Sequence, residues 1–283
     1  MYGQELANLE AIIGNTELII DINVLGEDSE YTKLLPDLTG IDPNDQFSNV
    51  PYEKGFNLLT TIEKLVGNDN FREVMRRYIK KYRLKSVDYT AFKEVLEEFI
   101  KEKFKKKQAK KILGEIDWDK WLNEKGFPSY KNEFTSELLK DAEKMAEDFL
   151  NEKEDNSSVL KIFQEWHTKV KLAFMNYLLN NKTRINEQIA KNLKTKLNLA
   201  EDYNCEIKYI WYLLALDKNM EEEIPIIEKF LETHGNIKYV RPIYFAWIEK
   251  DYDKAKEIFE KVKHLYHEIL RNIIQDKLNK EKK

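Results

Sequence analysis

Apolar side chains recur at intervals of three and four residues along most of this chain, which is the pattern of helices that bury one face. Clear runs lie in residues 51–66, 89–100 and 158–178. Beyond residue 135, such segments follow one another through short polar connections without a strand signal. The chain is therefore predicted to be all-α.

The helical pattern is broken at Gly126-Phe127-Pro128-Ser129-Tyr130, a combination typical of a loop. We take this break as a domain boundary. It predicts a first domain at residues 1–125, a linker at 126–134 and a second domain at 135–283. Helix pairs joined by short turns in the second domain indicate a layered helical array.

The same spacing predicts the extent of individual helices. A short amphipathic helix near the start is expected to end at Gly14-Asn15. A long helix that opens at Ser86 or Asp88 is expected to continue through residues 101–111. The last helix is expected to run from Asp251 to Lys280.

Composition fits a folded helical protein. Of 283 residues, 42% are hydrophobic and 35% are charged. A net charge of −4 and a pI near 5.8 give no whole-chain electrostatic case for nucleic acid. The single cysteine, Cys205, excludes an internal disulfide and is expected to be a small buried residue. With no apolar run long enough to span a bilayer, the expected setting is soluble, intracellular and, by default, cytoplasmic.

Positive charge is concentrated in Lys101–Lys111, which contains seven lysines and one glutamate. Such a segment offers a docking surface for an anionic partner, either an acidic protein or nucleic acid. The alternative interpretation is a solvated extension of the preceding helix. Phe104 is the one aromatic residue in the segment, so stacking on nucleic acid bases is not indicated.

Tyr52 is a candidate for chemistry because of its place in the chain. Pro51 suits the first turn of a helix, so Tyr52 is expected close to the positive end of the helix dipole. A phenol there could donate a hydrogen bond to a developing oxyanion. The alternative is that Tyr52 only packs the helix entry.

Four blocks of sequence carry a resemblance to a known family: Val50-Pro51-Tyr52-Glu53-Lys54-Gly55-Phe56, Ile116-Asp117-Trp118-Asp119-Lys120-Trp121-Leu122, Asn204-Cys205-Glu206-Ile207 and Gly235-Asn236-Ile237-Lys238-Tyr239-Val240-Arg241-Pro242. In order and approximate spacing they resemble the C-terminal half of the zinc aminopeptidases that include leukotriene A4 hydrolase and aminopeptidase B. The resemblance implies the truncated helical end of a thermolysin-like catalytic domain, followed by an armadillo-like helical domain.

Zinc in that family is held by two histidines of a His-Glu-x-x-His helix and a glutamate on the following helix. The resemblance places Met1 just after the helix of the third ligand, so we expect this chain to hold no cofactor. His264 and His267 share a predicted helix face with Glu268 adjacent. Their order, His-x-x-His-Glu, matches neither zinc motif, so no replacement metal site is expected.

The resemblance also assigns residues of the substrate site. Tyr52 matches the tyrosine that stabilises the tetrahedral intermediate, and Lys238 matches one of two basic residues that receive the substrate's carboxylate or backbone. Asn236 stands in place of the second basic residue, an arginine. Asn44 stands where leukotriene A4 hydrolase has an acidic residue, and Phe47 where it has a tyrosine. An amide does not reproduce the arginine clamp, so Tyr52 is expected to be vestigial.

These departures favour a non-catalytic, aminopeptidase-like protein that serves as a helical interaction or structural subunit of a larger assembly of proteins. Without the family's upstream domain, apolar surface on residues 1–25 and on the 51–66 helix is expected to be uncovered. The alternative is the C-terminal portion of a split or longer zinc aminopeptidase, whose metal ligands lie on a missing segment or a separate chain. A third hypothesis is an anion-binding module acting through Lys101–Lys111.

Overall fold

The computed structural model describes residues 3–41, 48–128, 132–151, 156–199 and 204–281. Within these ranges it contains helices and no β-strand, which confirms the all-α prediction. No helix in them is long and apolar enough to cross a membrane. The chain forms two compact units: an N-terminal unit, Glu10–Thr135, and a C-terminal unit, Met1–Leu9 with Ser136–Lys283. The division into domains at residues 126–134 stays a prediction.

Successive helices pack against each other in the N-terminal unit. They are most of α1 (Gln4–Leu25), then α2 (Val50–Val66), α3 (Asn68–Lys81), α4 (Tyr89–Lys103), α5 (Lys106–Glu115) and α6 (Trp118–Asn123). Each of α2 to α4 contacts the next. Their core contains Leu58, Ile62, Val95, Leu96, Phe99, Ile100 and Trp121. A smaller cluster joins Leu18 and Ile22 of α1 to Val50.

Alternate helices pack against each other in the C-terminal unit. They are α7 (Glu137–Leu150), α8 (Asn156–Glu165), α9 (Thr168–Asn180), α10 (Glu187–Lys196), α11 (Cys205–Asp217), α12 (Ile224–Thr233), α13 (Ile237–Lys250), α14 (Tyr252–Val262) and α15 (Glu268–Glu281). Helices α7, α9, α11, α13 and α15 stack in that order, while α8 contacts α10 and α12 contacts α14. Two stacked helix layers of this kind are the armadillo-like arrangement that the sequence predicts.

The predicted end of the first helix at Gly14-Asn15 is wrong, because α1 continues to Leu25. Gly14 is buried inside the helix, against Glu53 of α2. A Cβ atom at position 14 would lie 2.1 Å from Glu53 Oε2. The glycine therefore permits a close approach of two helices and does not mark a helix end.

Two predicted long helices are each interrupted at an aromatic residue. Helix α4 ends at Lys103, since Phe104 is extended (φ −108°, ψ 149°) and its ring packs on the core of the N-terminal unit. The predicted helix from Asp251 to Lys280 is divided at Tyr266, which is also extended (φ −93°, ψ 144°) and buried. The Tyr266 hydroxyl donates to the carbonyl oxygen of Leu231 at 2.8 Å. In both places tertiary burial of a ring takes precedence over the local helical pattern.

Candidate functional site

Tyr52 lies in the first turn of α2, as the position of Pro51 predicts. Its side chain is 63% exposed. The residue before the helix, Asn49, donates its backbone N–H to the Asp21 carboxylate at 2.5 Å, which fixes the chain entering the turn. The phenol is thus presented at the positive end of the α2 dipole, where it could donate to an anionic group. Its role as an oxyanion donor stays a prediction.

Lys54, two residues further on, is a buried cation that sequence reasoning missed. It is 1% exposed, and its Nζ donates to the carbonyl oxygen of Glu124 at 2.9 Å. Burial lowers the pKa of Lys54 to about 8. The spacing of residues could have predicted this burial. Lys54 lies four residues after Val50 and four before Leu58, and both are buried on the inward face of α2.

Asn236 and Lys238 lie together at the start of α13. The Asn236 Oδ1 accepts the backbone N–H of Lys238 at 2.9 Å and so caps the helix. The Lys238 Nζ lies 2.8 Å from Glu206 Oε1 in the first turn of α11. Tyr239 donates to the same oxygen at 2.9 Å. Burial and this carboxylate raise the pKa of Tyr239 to about 12.

Cys205 is the first residue of α11, directly before Glu206. It is half-buried, whereas the sequence predicts a buried position. Its Sγ lies 3.4 Å from His234 Nε2. The other ring nitrogen, Nδ1, lies 3.0 Å from the carbonyl oxygen of Phe230 and 2.9 Å from Thr233 Oγ1. The His234 ring also stacks on Phe230, with ring centroids 4.0 Å apart.

His264 and His267 do not share a helix face, which corrects the prediction. His264 lies in a 3-10 turn, Lys263–Leu265, whereas His267 precedes α15 and accepts the backbone N–H of Ile269 at 3.3 Å. The burial of Tyr266 between them separates the two segments. In the part of the chain that the structure describes, no group of three or more His, Cys, Asp or Glu side chains could hold a metal ion.

The structure therefore brings two of the predicted site residues together. Asn236 and Lys238 are neighbours within the C-terminal unit, and Tyr52 belongs to the N-terminal unit. Asn44 and Phe47 lie outside the described residues. The substrate-binding roles assigned to Asn236, Lys238 and Asn44 stay predictions.

Each unit contains a stretch that matches the model of a known domain family. Residues 24–121 match the peptidase family M1 domain, and residues 166–278 match the leukotriene A4 hydrolase C-terminal domain. This order, the helical end of a peptidase domain followed by stacked helices, is the one expected from the sequence blocks. The chain belongs to the zinc aminopeptidase family of leukotriene A4 hydrolase and corresponds to its C-terminal half.

Similar proteins cover nearly all of this chain. Leucine aminopeptidase 2 of Ajellomyces capsulatus is 33% identical over 279 residues, which are 98% of this chain and 44% of that protein. A leukotriene A-4 hydrolase homolog of Botryotinia fuckeliana is 30% identical over 278 residues, 98% of this chain and 42% of that protein. The structure of yeast leukotriene A4 hydrolase in complex with bestatin aligns with a TM-score of 0.82 and 26% identity, over 98% of this chain and 47% of that one. The chain thus spans less than half the length of these relatives.

Proposed function

We propose that this chain is a non-catalytic, aminopeptidase-like helical subunit that binds other proteins in a larger intracellular assembly. The observation that carries the proposal is that both residues at the family's substrate positions, Lys238 and Asn236, bind other groups of this chain. Lys238 is ion-paired with Glu206 at 2.8 Å, and Asn236 uses its side-chain oxygen to cap α13. An ammonium group held by a carboxylate and a neutral amide do not form the two-cation clamp that a substrate carboxylate needs.

An exposed apolar surface on α1 supports the protein-binding part of the proposal. Ile19, Ile20 and Val24 are 48%, 55% and 79% exposed, while Leu18 and Ile22 of the same helix are buried. A helix that is apolar on both faces is suited to burial between two partners. Contiguous apolar side chains at a surface are typical of a protein interaction site.

A groove of about 350 Å³ continues this surface. Its apolar wall includes Ile19 and Phe127, and its polar wall includes Asn15, Asn57 and Asn132. Asn57 donates to Asn15 Oδ1 at 2.9 Å and accepts from Asn132 Nδ2 at 3.1 Å, which fixes these amides. A fixed row of neutral amides beside an apolar wall is suited to a polypeptide segment, whose backbone offers matching donors and acceptors.

The proposed surface is tested by substitution in the natural assembly. The double variant Ile20→Asp/Val24→Asp is expected to lose the proteins that co-purify in fixed stoichiometry with the wild-type chain. The matched control is Ile226→Asp, because Ile226 is an exposed apolar residue of α12 in the C-terminal unit. Circular dichroism checks that both variants fold. Equal retention of the partners by both variants, or equal loss from both, would contradict an interface on α1.

A second candidate function is favoured by Tyr52, which occupies the family's oxyanion-donor position and is exposed at the start of α2. In this case a further polypeptide carries the zinc ligands, and the assembly hydrolyses peptides. Tyr52→Phe would then lower the turnover of a leucine anilide by about 10²- to 10³-fold. Tyr89→Phe is the control, since Tyr89 also begins a helix, α4, and is exposed. A wild-type assembly without turnover removes this candidate.

A further inference from the structure

The segment Lys101–Lys111 concentrates charge of the opposite sign to the rest of the chain. Its seven lysines and one glutamate give a formal charge of +6, so the remaining residues of the chain of net charge −4 carry −10. An asymmetry of this size creates a local positive field on an acidic protein, which steers the approach of anionic partners.

Acidic side chains in and next to the segment form ion pairs with arginine or lysine. Glu102 forms two hydrogen bonds with the Arg77 guanidinium, at 2.6 and 3.2 Å. Glu97 pairs with Lys101 at 3.2 Å, one turn away on α4. At the far end of the segment, Glu115 lies 3.7 Å from a lysine four residues before it on α5. These contacts leave little negative charge to offset the lysines between them.

After Lys103, the last residue of α4, four lysines precede the paired Lys111: Lys105, Lys106, Lys107 and Lys110, here called the lysine quartet. All four side chains are exposed, and none makes an ion pair or hydrogen bond with another side chain in the described ranges. In contrast, lysines elsewhere on the surface, such as Lys140, Lys191 and Lys261, bind nearby glutamates. The quartet therefore retains its full charge for an external partner.

The quartet surrounds the start of α5, where positive charge is unfavourable. Lys105 is the N-cap residue and makes no side-chain cap, and the first turn holds Lys106 and Lys107 without an acidic residue. Cations at this end oppose the helix dipole, whereas an anion would be stabilised by both the dipole and the lysines. The opposite side of α5 buries Ala109 and Ile112 in the core, so the helix position is fixed by packing.

We propose that the lysine quartet is a docking surface for an acidic segment of a partner protein. Lys106 and Lys110 are one turn apart, a spacing that carboxylates at the same interval on an acidic helix match. Sites that read phosphates favour the bidentate fork of arginine, and the quartet contains lysine alone. The neighbouring ring, Phe104, packs on the core and is not presented to bases. This proposal does not depend on the α1 surface.

The test measures binding of the whole chain to a fluorescein-labelled poly-glutamate peptide by fluorescence anisotropy. The quartet variant carries Lys105→Gln, Lys106→Gln, Lys107→Gln and Lys110→Gln. The control variant carries Lys140→Gln, Lys191→Gln, Lys229→Gln and Lys261→Gln, which are exposed lysines already paired with glutamate. Both variants change the net charge by the same amount, and glutamine keeps a high helix propensity.

The wild-type chain is expected to bind the peptide, and a rise in salt from about 0.05 to 0.3 M should weaken binding about tenfold. The quartet variant is expected to lose affinity by about tenfold or more, and the control variant to stay within about twofold of wild type. Equal loss in both variants would overturn the proposal, since it would mean a response to net charge alone. Absence of wild-type binding at low salt, or tighter binding to a labelled DNA duplex than to the peptide, would overturn it as well.

Discussion

Replacing Lys54 with methionine removes a buried ammonium group from the N-terminal unit and keeps most of the side-chain volume. In the wild type, the Lys54 Nζ donates to the carbonyl oxygen of Glu124 at 2.9 Å. Loss of this donor removes a hydrogen bond from a charged group to a backbone carbonyl, at a cost of about 1.5–3 kcal/mol. The charge of Lys54 contributes a second term, and this term varies with pH.

The direction of the pH dependence follows from the lowered pKa. Burial lowers the pKa of Lys54 from 10.5 to about 8 in the folded protein. Below about pH 8 the lysine is charged in both states, and folding must bury that charge. Between about pH 8 and 10.5 the unfolded chain binds the proton and the folded chain does not, so the free energy of unfolding rises with pH. The full rise is about 3 kcal/mol, of which about 2 kcal/mol falls between pH 7 and 9.5.

Urea unfolding of the wild type and of Lys54→Met at pH 7 and 9.5, followed by circular dichroism, measures this rise. Taking the difference between the two proteins cancels the titration of the other lysines and tyrosines. The wild type is expected to gain about 2 kcal/mol relative to the variant over this interval. Lys64→Met is the control, because Lys64 is an exposed residue of the same helix. A difference between wild type and Lys54→Met that is constant with pH would refute the burial of a charged Lys54.

Two further predictions concern the C-terminal unit. Glu223 is buried, lies 2.5 Å from the Lys194 Nζ and accepts the Trp211 indole N–H at 2.9 Å. We expect Glu223→Ala to lower the free energy of unfolding, measured in urea, by about 3–5 kcal/mol. The control, Glu222→Ala at the exposed neighbouring position, should lower it by less than about 0.5 kcal/mol. The Arg184 guanidinium holds the pKa of Glu147 at about 2 through two hydrogen bonds of 2.7 and 2.8 Å. Since this folded pKa lies below the ordinary value of 4.5, the stabilising contribution is present above pH 4.5 and is lost as the pH falls towards 2. The melting temperatures of wild type and Glu147→Gln should therefore converge over that interval, and a constant difference would contradict the ion pair.

The helical class and the stacking of the C-terminal unit were predictable because the spacing of apolar residues records which face of each helix is buried. Helix ends were less predictable where a distant contact decides them. Gly14 has the local signature of a helix end, yet its role is to admit Glu53 from another helix. Likewise, the breaks at Phe104 and Tyr266 arise from burial of their rings, which a local pattern does not record.

In the candidate site, too, features set by neighbouring residues were predictable, and contacts between distant residues were not. The position of Tyr52 at the start of α2 was predictable because Pro51 acts on its own turn. The pairing of Lys238 with Glu206 was not predictable, because the two residues lie on different helices and meet only in the packed unit. The contact of Cys205 with His234 was missed for the same reason.

The proposal of a non-catalytic subunit is tested most directly by the zinc content and leucine aminopeptidase turnover of the assembly purified from its natural source. We predict no stoichiometric zinc and no turnover above the blank, together with partner proteins in fixed ratio to this chain. One zinc per chain, with turnover that is lost in Tyr52→Phe and retained in Tyr89→Phe, would contradict the proposal and show that the chain completes an active aminopeptidase.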